Sequence, residues 1–161
     1  GKVPGVEAST GSLGHGLPCS LGFAQALKKS GKHVFCLLGD GECNEGTTWE
    51  SAALANSLNT YNLTVIVDYN KSTNNVLPFY DLEKSWSSFG WKVYSVDGHS
   101  EDEISTALEK STSSDKPSCV IAHTIKGNGI PFMENNGLWH YRCPTDDELN
   151  EIADILKYNY E

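Results

Sequence analysis

Two stretches decide the fold: Val34-Phe35-Cys36-Leu37-Leu38-Gly39-Asp40-Gly41 and Leu63-Thr64-Val65-Ile66-Val67-Asp68-Tyr69-Asn70-Lys71. Each is a short, mostly apolar run that ends in a polar turn. Runs of this length without strict alternation suit strands of a sheet covered on both faces. Between them, Thr47 to Leu58 is rich in Ala and Leu and reads as a helix. Strand, helix and strand form a βαβ unit, whose strands are usually parallel and often adjacent. The two polar turns then lie side by side at the carboxyl edge of a sheet, the edge at which open α/β folds bind ligands.

The rest of the chain repeats the alternation without repeating the sequence. Leu17 to Lys29 reads as a helix with Leu17, Leu21, Ala24 and Leu27 on one face, and Pro18 is tolerated in its first turn. Thr73 to Phe79 reads as an irregular loop and Asp81 to Phe89 as a short helix. Trp91 to Val96 and Ser118 to Ala122 read as a third and a fourth strand. Ser100-Glu101-Asp102-Glu103 and Thr145-Asp146-Asp147-Glu148 have the capping-box pattern. The first opens a helix carrying Ile104 and Leu108, the second one carrying Leu149, Ile152 and Leu156. The polar, Gly-rich stretch from Asn128 to Asn136 is the best candidate for a mobile loop. No linker is evident. The expectation is a single α/β domain over 1–161, doubly wound, with a mainly parallel sheet and helices on both faces.

Composition limits the function. The 161 residues carry a net charge of −9, with Lys and Arg scattered, which argues against a nucleic-acid partner. Five cysteines without a Cys-x-x-Cys pair argue for reduced thiols in the cytoplasm rather than a disulfide frame or a zinc site. No apolar run reaches membrane-spanning length.

The turn residues carry the chemistry. Asp40 offers a hard anionic oxygen and Asn70 a neutral carbonyl oxygen. With a backbone carbonyl and phosphate oxygens, they make a Mg²⁺ site that a bound phosphate completes. Gly39 and Gly41 let the backbone approach that phosphate and present N–H donors. A bare Gly-Asp-Gly is usually only a tight turn; Asn70, 30 positions after Asp40, is what raises its weight.

This spacing resembles the thiamine diphosphate fingerprint. Gly11-Ser12-Leu13-Gly14-His15-Gly16-Leu17 is similar to a glycine loop of transketolases. Gly39-Asp40-Gly41-Glu42-Cys43-Asn44-Glu45-Gly46 resembles the transketolase form of the fingerprint. Phe132-Met133-Glu134-Asn135 and Trp139-His140 resemble the end of the cofactor domain in transketolase N-terminal subunits. The resemblance covers nearly the whole chain, in order. It implies the thiamine diphosphate-binding fold, with thiamine diphosphate and Mg²⁺ as cofactors. Asp40, Asn70 and the backbone carbonyl of Ser72 would hold the metal, the Ser72 hydroxyl having no part. Gly11, Leu13, Gly39, Gly41 and Glu42 would line the cofactor, although Leu13 reads equally well as plain core. Glu45 would join a carboxylate network across a subunit interface. His140 would face the thiazolium and substrate, against the alternative of a ring packed beside Trp139 and Tyr141. His15 stands where many transketolases have Gln; His33, His99 and His123 show no partner pattern.

Two family parts are not in this sequence: a segment ahead of the Gly11 motif, and the pyrimidine-binding domain that activates the cofactor's amino group. The expected function is therefore the diphosphate-binding subunit of a split transketolase-like transferase. It would move a two-carbon ketol unit between sugar phosphates, together with a C-terminal pyrimidine-binding subunit in a two-fold hetero-oligomer. The alternatives are another thiamine diphosphate reaction (a decarboxylase or a deoxyxylulose phosphate synthase-like ligation), a non-catalytic scaffold subunit, and a Mg²⁺–nucleotide binder. The last lacks a Gly-x-x-x-x-Gly-Lys-Ser/Thr loop.

Overall fold

The computed structural model describes residues 3–73, 77–78 and 81–157. Part of the loop expected over 73–79 lies outside the described residues. The chain divides into two compact units, 1–123 and 124–161.

The first unit is built on four parallel strands: β1 (Val34–Gly39), β2 (Leu63–Tyr69), β3 (Lys92–Asp97) and β4 (Ser118–His123). Their order across the sheet is β1-β2-β4-β3. The expected pairing of the first two strands holds, with Val34 opposite Leu63 and Gly39 opposite Asp68. Four helices alternate with them: α1 (Gly16–Leu27), α2 (Gly46–Ser57), α3 (Leu82–Ser88) and α4 (Glu101–Thr112).

Period-2 geometry assigns the two faces of the sheet. Cys36 and Leu38 of β1, Leu63, Val65 and Val67 of β2, and Cys119 and Ile121 of β4 point to one side. There they form a core with Leu17, Leu21 and Ala24 of α1, Ala52 and Ala55 of α2, and Leu82 and Trp86 of α3. The small residues of α2 let it lie close. The indole N–H of Trp91 donates to the Ala52 carbonyl at 2.9 Å, so that buried ring is satisfied. On the opposite side α4 packs on β2, β3 and β4. Its deepest residues are Ala107 and Ser111 rather than Ile104 and Leu108, which are half-buried. The Thr64 hydroxyl donates to Ser111 Oγ at 2.9 Å across that contact.

β1 corrects one expectation. Its apolar run is not covered on both faces: Phe35 and Leu37 are 48% and 70% exposed. The α4 side of the sheet is covered over β2, β4 and β3, whereas β1 at the edge keeps that face open. Only the inner strands satisfy the two-faced burial that their composition suggests.

The cap boxes behave differently from each other. Ser100 Oγ accepts the Glu103 N–H, but the Glu103 carboxylate accepts from Asp97 N–H, tying α4 to the end of β3. At the start of α5 (Asp146–Lys157), Thr145 and Glu148 bond reciprocally, the full motif. In this second unit, the stretch 128–136 is a chain of hydrogen-bonded turns. The Asn135 N–H donates to the Lys126 carbonyl and the Gly129 N–H to Glu134 Oε1. Gly127 and Gly129 adopt φ of 76° and 89°, which suit glycine. A Cβ at Gly127 would stand 2.6 Å from the Met133 carbonyl oxygen.

Candidate functional site

The site is a pair of turns on the carboxyl edge of β1 and β2. Gly39 ends β1, and a 3-10 turn, Asp40–Asn44, leads from it into α2. Asp40 is buried, at 6% exposure. Gly41 sits against the neighbouring turn: a Cβ there would come within 3.1 Å of Thr73 Cγ2. The register and this contact together bring Asp40 beside the 70–73 turn, as the sequence leads one to expect.

Glu42 is the brace of the first turn. Its Oε1 accepts the Gly14 N–H at 3.1 Å and its Oε2 the Gly39 N–H at 3.2 Å. One carboxylate thus ties the Gly11–Gly16 loop to the Gly-Asp-Gly turn across 28 positions of sequence. The Thr47 hydroxyl closes the clasp by donating to the Gly14 carbonyl at 2.9 Å. Gly14 must be glycine here. Its φ is 74°, and a Cβ would collide with Thr47 Oγ1 at 2.4 Å and Glu45 Cβ at 2.7 Å. The sequence expectation gave Glu42 to the cofactor; in the structure its carboxylate is engaged with two backbone donors. The signal for this was present, since a Glu three places after a strand end occupies the reach-back position of a capping box. Thr47 carried no comparable signal.

The second turn is held locally. Asn70 Nδ2 donates to Asp68 Oδ2 at 2.8 Å, and Asn70 Oδ1 accepts from the Ser72 N–H at 3.0 Å and from the Ser72 hydroxyl. Lys71 between them takes φ 61°, the left-handed kink that turns the chain. The Ser72 hydroxyl bonds the same Asn70 oxygen that is expected to face a metal.

Space remains in front of the turns. Cβ atoms built on Gly39 or Gly11 would meet nothing within 4 Å. Leu13 is 56% exposed, which rules out the plain-core reading within this chain. Glu45 is exposed at the N-cap of α2, with its side-chain carbons against Gly14.

The buried thiols nearby are poor nucleophiles. Burial pushes Cys43 up to about 12 and raises Cys36 as well. The described residues contain no group of three His, Cys, Asp or Glu side chains able to hold a metal. Asp40 and Asn70 are instead a partial set of hard oxygen donors, the kind that suits Mg²⁺ when phosphate oxygens fill the remaining positions.

His140 belongs to the second unit. It closes a 3-10 turn, Gly137–His140, and is exposed. Its neighbour Trp139 is the packed ring. The Trp139 indole donates to the Phe132 carbonyl at 3.3 Å, and the Arg142 guanidinium lies 3.7 Å from its ring centroid. The alternative of a packed His140 is therefore not what the structure shows.

Residues 1–161 match the family model of the transketolase thiamine diphosphate-binding domain. The chain belongs to this family. It is 41% identical over 163 residues to an apulose-4-phosphate transketolase subunit of Actinobacillus succinogenes, a match covering 97% of this chain and 59% of that protein. It is 38% identical over 154 residues to a 6-deoxy-6-sulfo-D-fructose transketolase subunit of a Clostridium species, covering 91% of this chain and 56% of that one. The transketolase of Campylobacter jejuni has a similar structure, with a TM-score of 0.77 and 31% identity over 83% of this chain and 23% of its own. The chain spans between half and two thirds of the two subunit relatives. The thiamine diphosphate-binding, doubly wound α/β fold is thus established, and no helix among the described residues is long and apolar enough to cross a membrane.

Proposed function

We propose that this chain is the diphosphate-binding module, over 1–161, of a split transketolase. The enzyme transfers a two-carbon ketol unit between sugar phosphates and uses thiamine diphosphate and Mg²⁺. The observation that carries this reading is the pairing of Gly39 with Asp68, which sets Asp40 beside the Asn70 turn at the open carboxyl edge. Asp40, Asn70 and the Ser72 backbone carbonyl hold Mg²⁺. Gly39 and Gly41 present backbone N–H groups to the diphosphate. Gly11 and Leu13 line the cofactor, and Glu42 keeps their loop in place. When bound, thiamine diphosphate supplies the carbanion chemistry that cleaves and forms the carbon–carbon bond. His140 hydrogen-bonds or exchanges a proton with the substrate oxygens.

The partner is a second polypeptide carrying the pyrimidine-binding domain, in a hetero-oligomer with two-fold symmetry. Two named relatives being subunits supports this. So does the exposed apolar face of β1 at Phe35 and Leu37, because exposed apolar patches mark interfaces. Glu45 reaches that interface as part of a carboxylate network. Five free cysteines support a cytoplasmic location.

Calorimetry tests the site: Mg²⁺–thiamine diphosphate binds the assembled enzyme and Mg²⁺–ATP does not. Ketol transfer on mixing with the partner tests the activity, and its absence in the presence of tight cofactor binding leaves a scaffold subunit. His140→Ala lowers kcat on the order of 10²-fold, the scale of an acid–base or polar contact, with cofactor affinity retained. Normal turnover in that variant removes His140 from the chemistry.

A further inference from the structure

Beside the Asn70 turn, at the carboxyl end of β4, stands a group of side chains with no role in the reading so far. Tyr69 and His123 are register partners on β2 and β4. Their rings meet nearly edge-on, with centroids 5.4 Å apart. Lys71 Nζ lies 5.9 Å from the Tyr69 ring centroid. Ser95 Oγ of β3 lies 2.8 Å from His123 Nε2. Despite these contacts His123 is exposed. Its ring is oriented without being buried.

Position and charge give this group its meaning. Asp40, Asn70 and His123 follow or end three neighbouring strands, because β1 pairs with β2 and β2 with β4. Adjacent strands lie about 4.8 Å apart, so the three positions form one short row along the edge. The β1 end of the row is acidic, with Asp40 and Glu42, and Asp68 adds to it from β2. The chain as a whole carries −9. A phosphoryl ligand at such an edge needs donors of the opposite character. Lys71 and His123 are the basic side chains on the turn after β2 and at the end of β4. When the Ser95 hydroxyl donates to Nε2, the neutral ring carries its proton on Nδ1, which is then the ring's remaining donor.

We infer that His123 is a phosphoryl-binding residue of this site and that Ser95 is its positioning residue. This rests on the diphosphate reading of the edge and adds a contact to it. The anion is the cofactor's diphosphate or the phosphate of the sugar; both offer the same oxygen acceptors.

The test uses the chain assembled with its partner, with calorimetry of Mg²⁺–thiamine diphosphate and Mg²⁺–pyrophosphate. His123→Ala weakens both about tenfold, the scale of one lost charge-assisted hydrogen bond. His123→Gln, which keeps an N–H donor, recovers part of that loss. Ser95→Ala weakens binding less than His123→Ala, because the ring remains but is no longer held. If the anion is the sugar phosphate, cofactor affinity is unchanged. The KM for a phosphorylated ketose then rises about tenfold, while that for the unphosphorylated ketose does not move. Wild-type values in both arms, with melting temperature preserved, overturn the inference and leave His123 a packing partner of Tyr69. Asp40→Ala separates this failure from a failure of the site itself. Pyrophosphate binding lost in the Asp40 variant and intact in the His123 variant refutes only the inference. Binding intact in the Asp40 variant refutes the diphosphate site.

Discussion

The turn after β1 and the turn after β2 do the same job by opposite means. The first is braced from a distance: Glu42 bonds Gly14 as well as Gly39, Thr47 bonds Gly14, and Asp40 in the same turn is buried. The second is held by local bonds, of Asn70 with Asp68 and with Ser72. A buried carboxylate must be kept in place whether or not a cation is bound, because any movement changes the cost of its burial. A half-buried neutral amide carries a smaller cost and can exchange one partner for another. In the proposed site, then, the anionic donor is the preorganised one and the neutral donor the adjustable one.

The largest test of that contrast is Asp40→Ala. It removes the only anionic protein donor of the proposed set, and Mg²⁺-dependent thiamine diphosphate binding by the assembled enzyme is lost altogether. Calorimetry with and without Mg²⁺ measures this; undiminished binding would show that the first turn has no special standing.

Gly14→Ala comes next and acts on the clasp. The added methyl meets Thr47 Oγ1 and Glu45 Cβ well inside contact distance, at a φ that side chains rarely adopt. A stability loss of about 2–4 kcal/mol in urea unfolding is expected, the range of an overpacked, strained backbone position. A loss under about 0.5 kcal/mol, the range of an ordinary surface substitution, would mean that the loop is not held as described.

Glu42→Gln is smaller again. The amide retains one acceptor oxygen, so one of the two backbone bonds is lost and the fold survives. About tenfold weaker cofactor binding follows, the order of one hydrogen bond to a charged group, with little change in melting temperature. An equal fall in stability and affinity would instead make Glu42 a general structural residue.

These two turns also show what the amino-acid pattern discloses. The strands and their order β1 to β2 are legible because the composition of β2 reflects burial on both faces, and the Gly-Asp-Gly and Asn70 positions follow from the strand ends. Phe35 and Leu37 mislead, because an edge strand with an open face can carry the same apolar residues as an inner one. The role of Glu42 is only half legible. Its capping-box spacing is local, but its bond to Gly14 depends on where α1 enters the fold. His123 is not legible at all. Its neighbours Tyr69 and Ser95 come from strands 54 and 28 positions away, brought together only by the order β2-β4-β3. Leu13 becomes clear only through its exposure.

The smallest effect distinguishes the two turns most sharply, because it has the opposite sign. Asn70→Ala removes a neutral donor that water can replace, so cofactor affinity falls several-fold rather than vanishing. Ser72→Ala removes the hydroxyl bonded to Asn70 Oδ1 but keeps the backbone N–H that donates to the same oxygen. The amide oxygen is then less committed, and a metal no longer has to displace the hydroxyl. Mg²⁺-dependent affinity should stay level or rise slightly, by less than about threefold, since a neutral hydrogen bond contributes about 1 kcal/mol net and part of it returns through water. The comparison to make is the Mg²⁺ concentration giving half-maximal thiamine diphosphate binding in the two variants. If Ser72→Ala weakens binding as much as Asn70→Ala, the hydroxyl serves the bound state, and the second turn is as preorganised as the first.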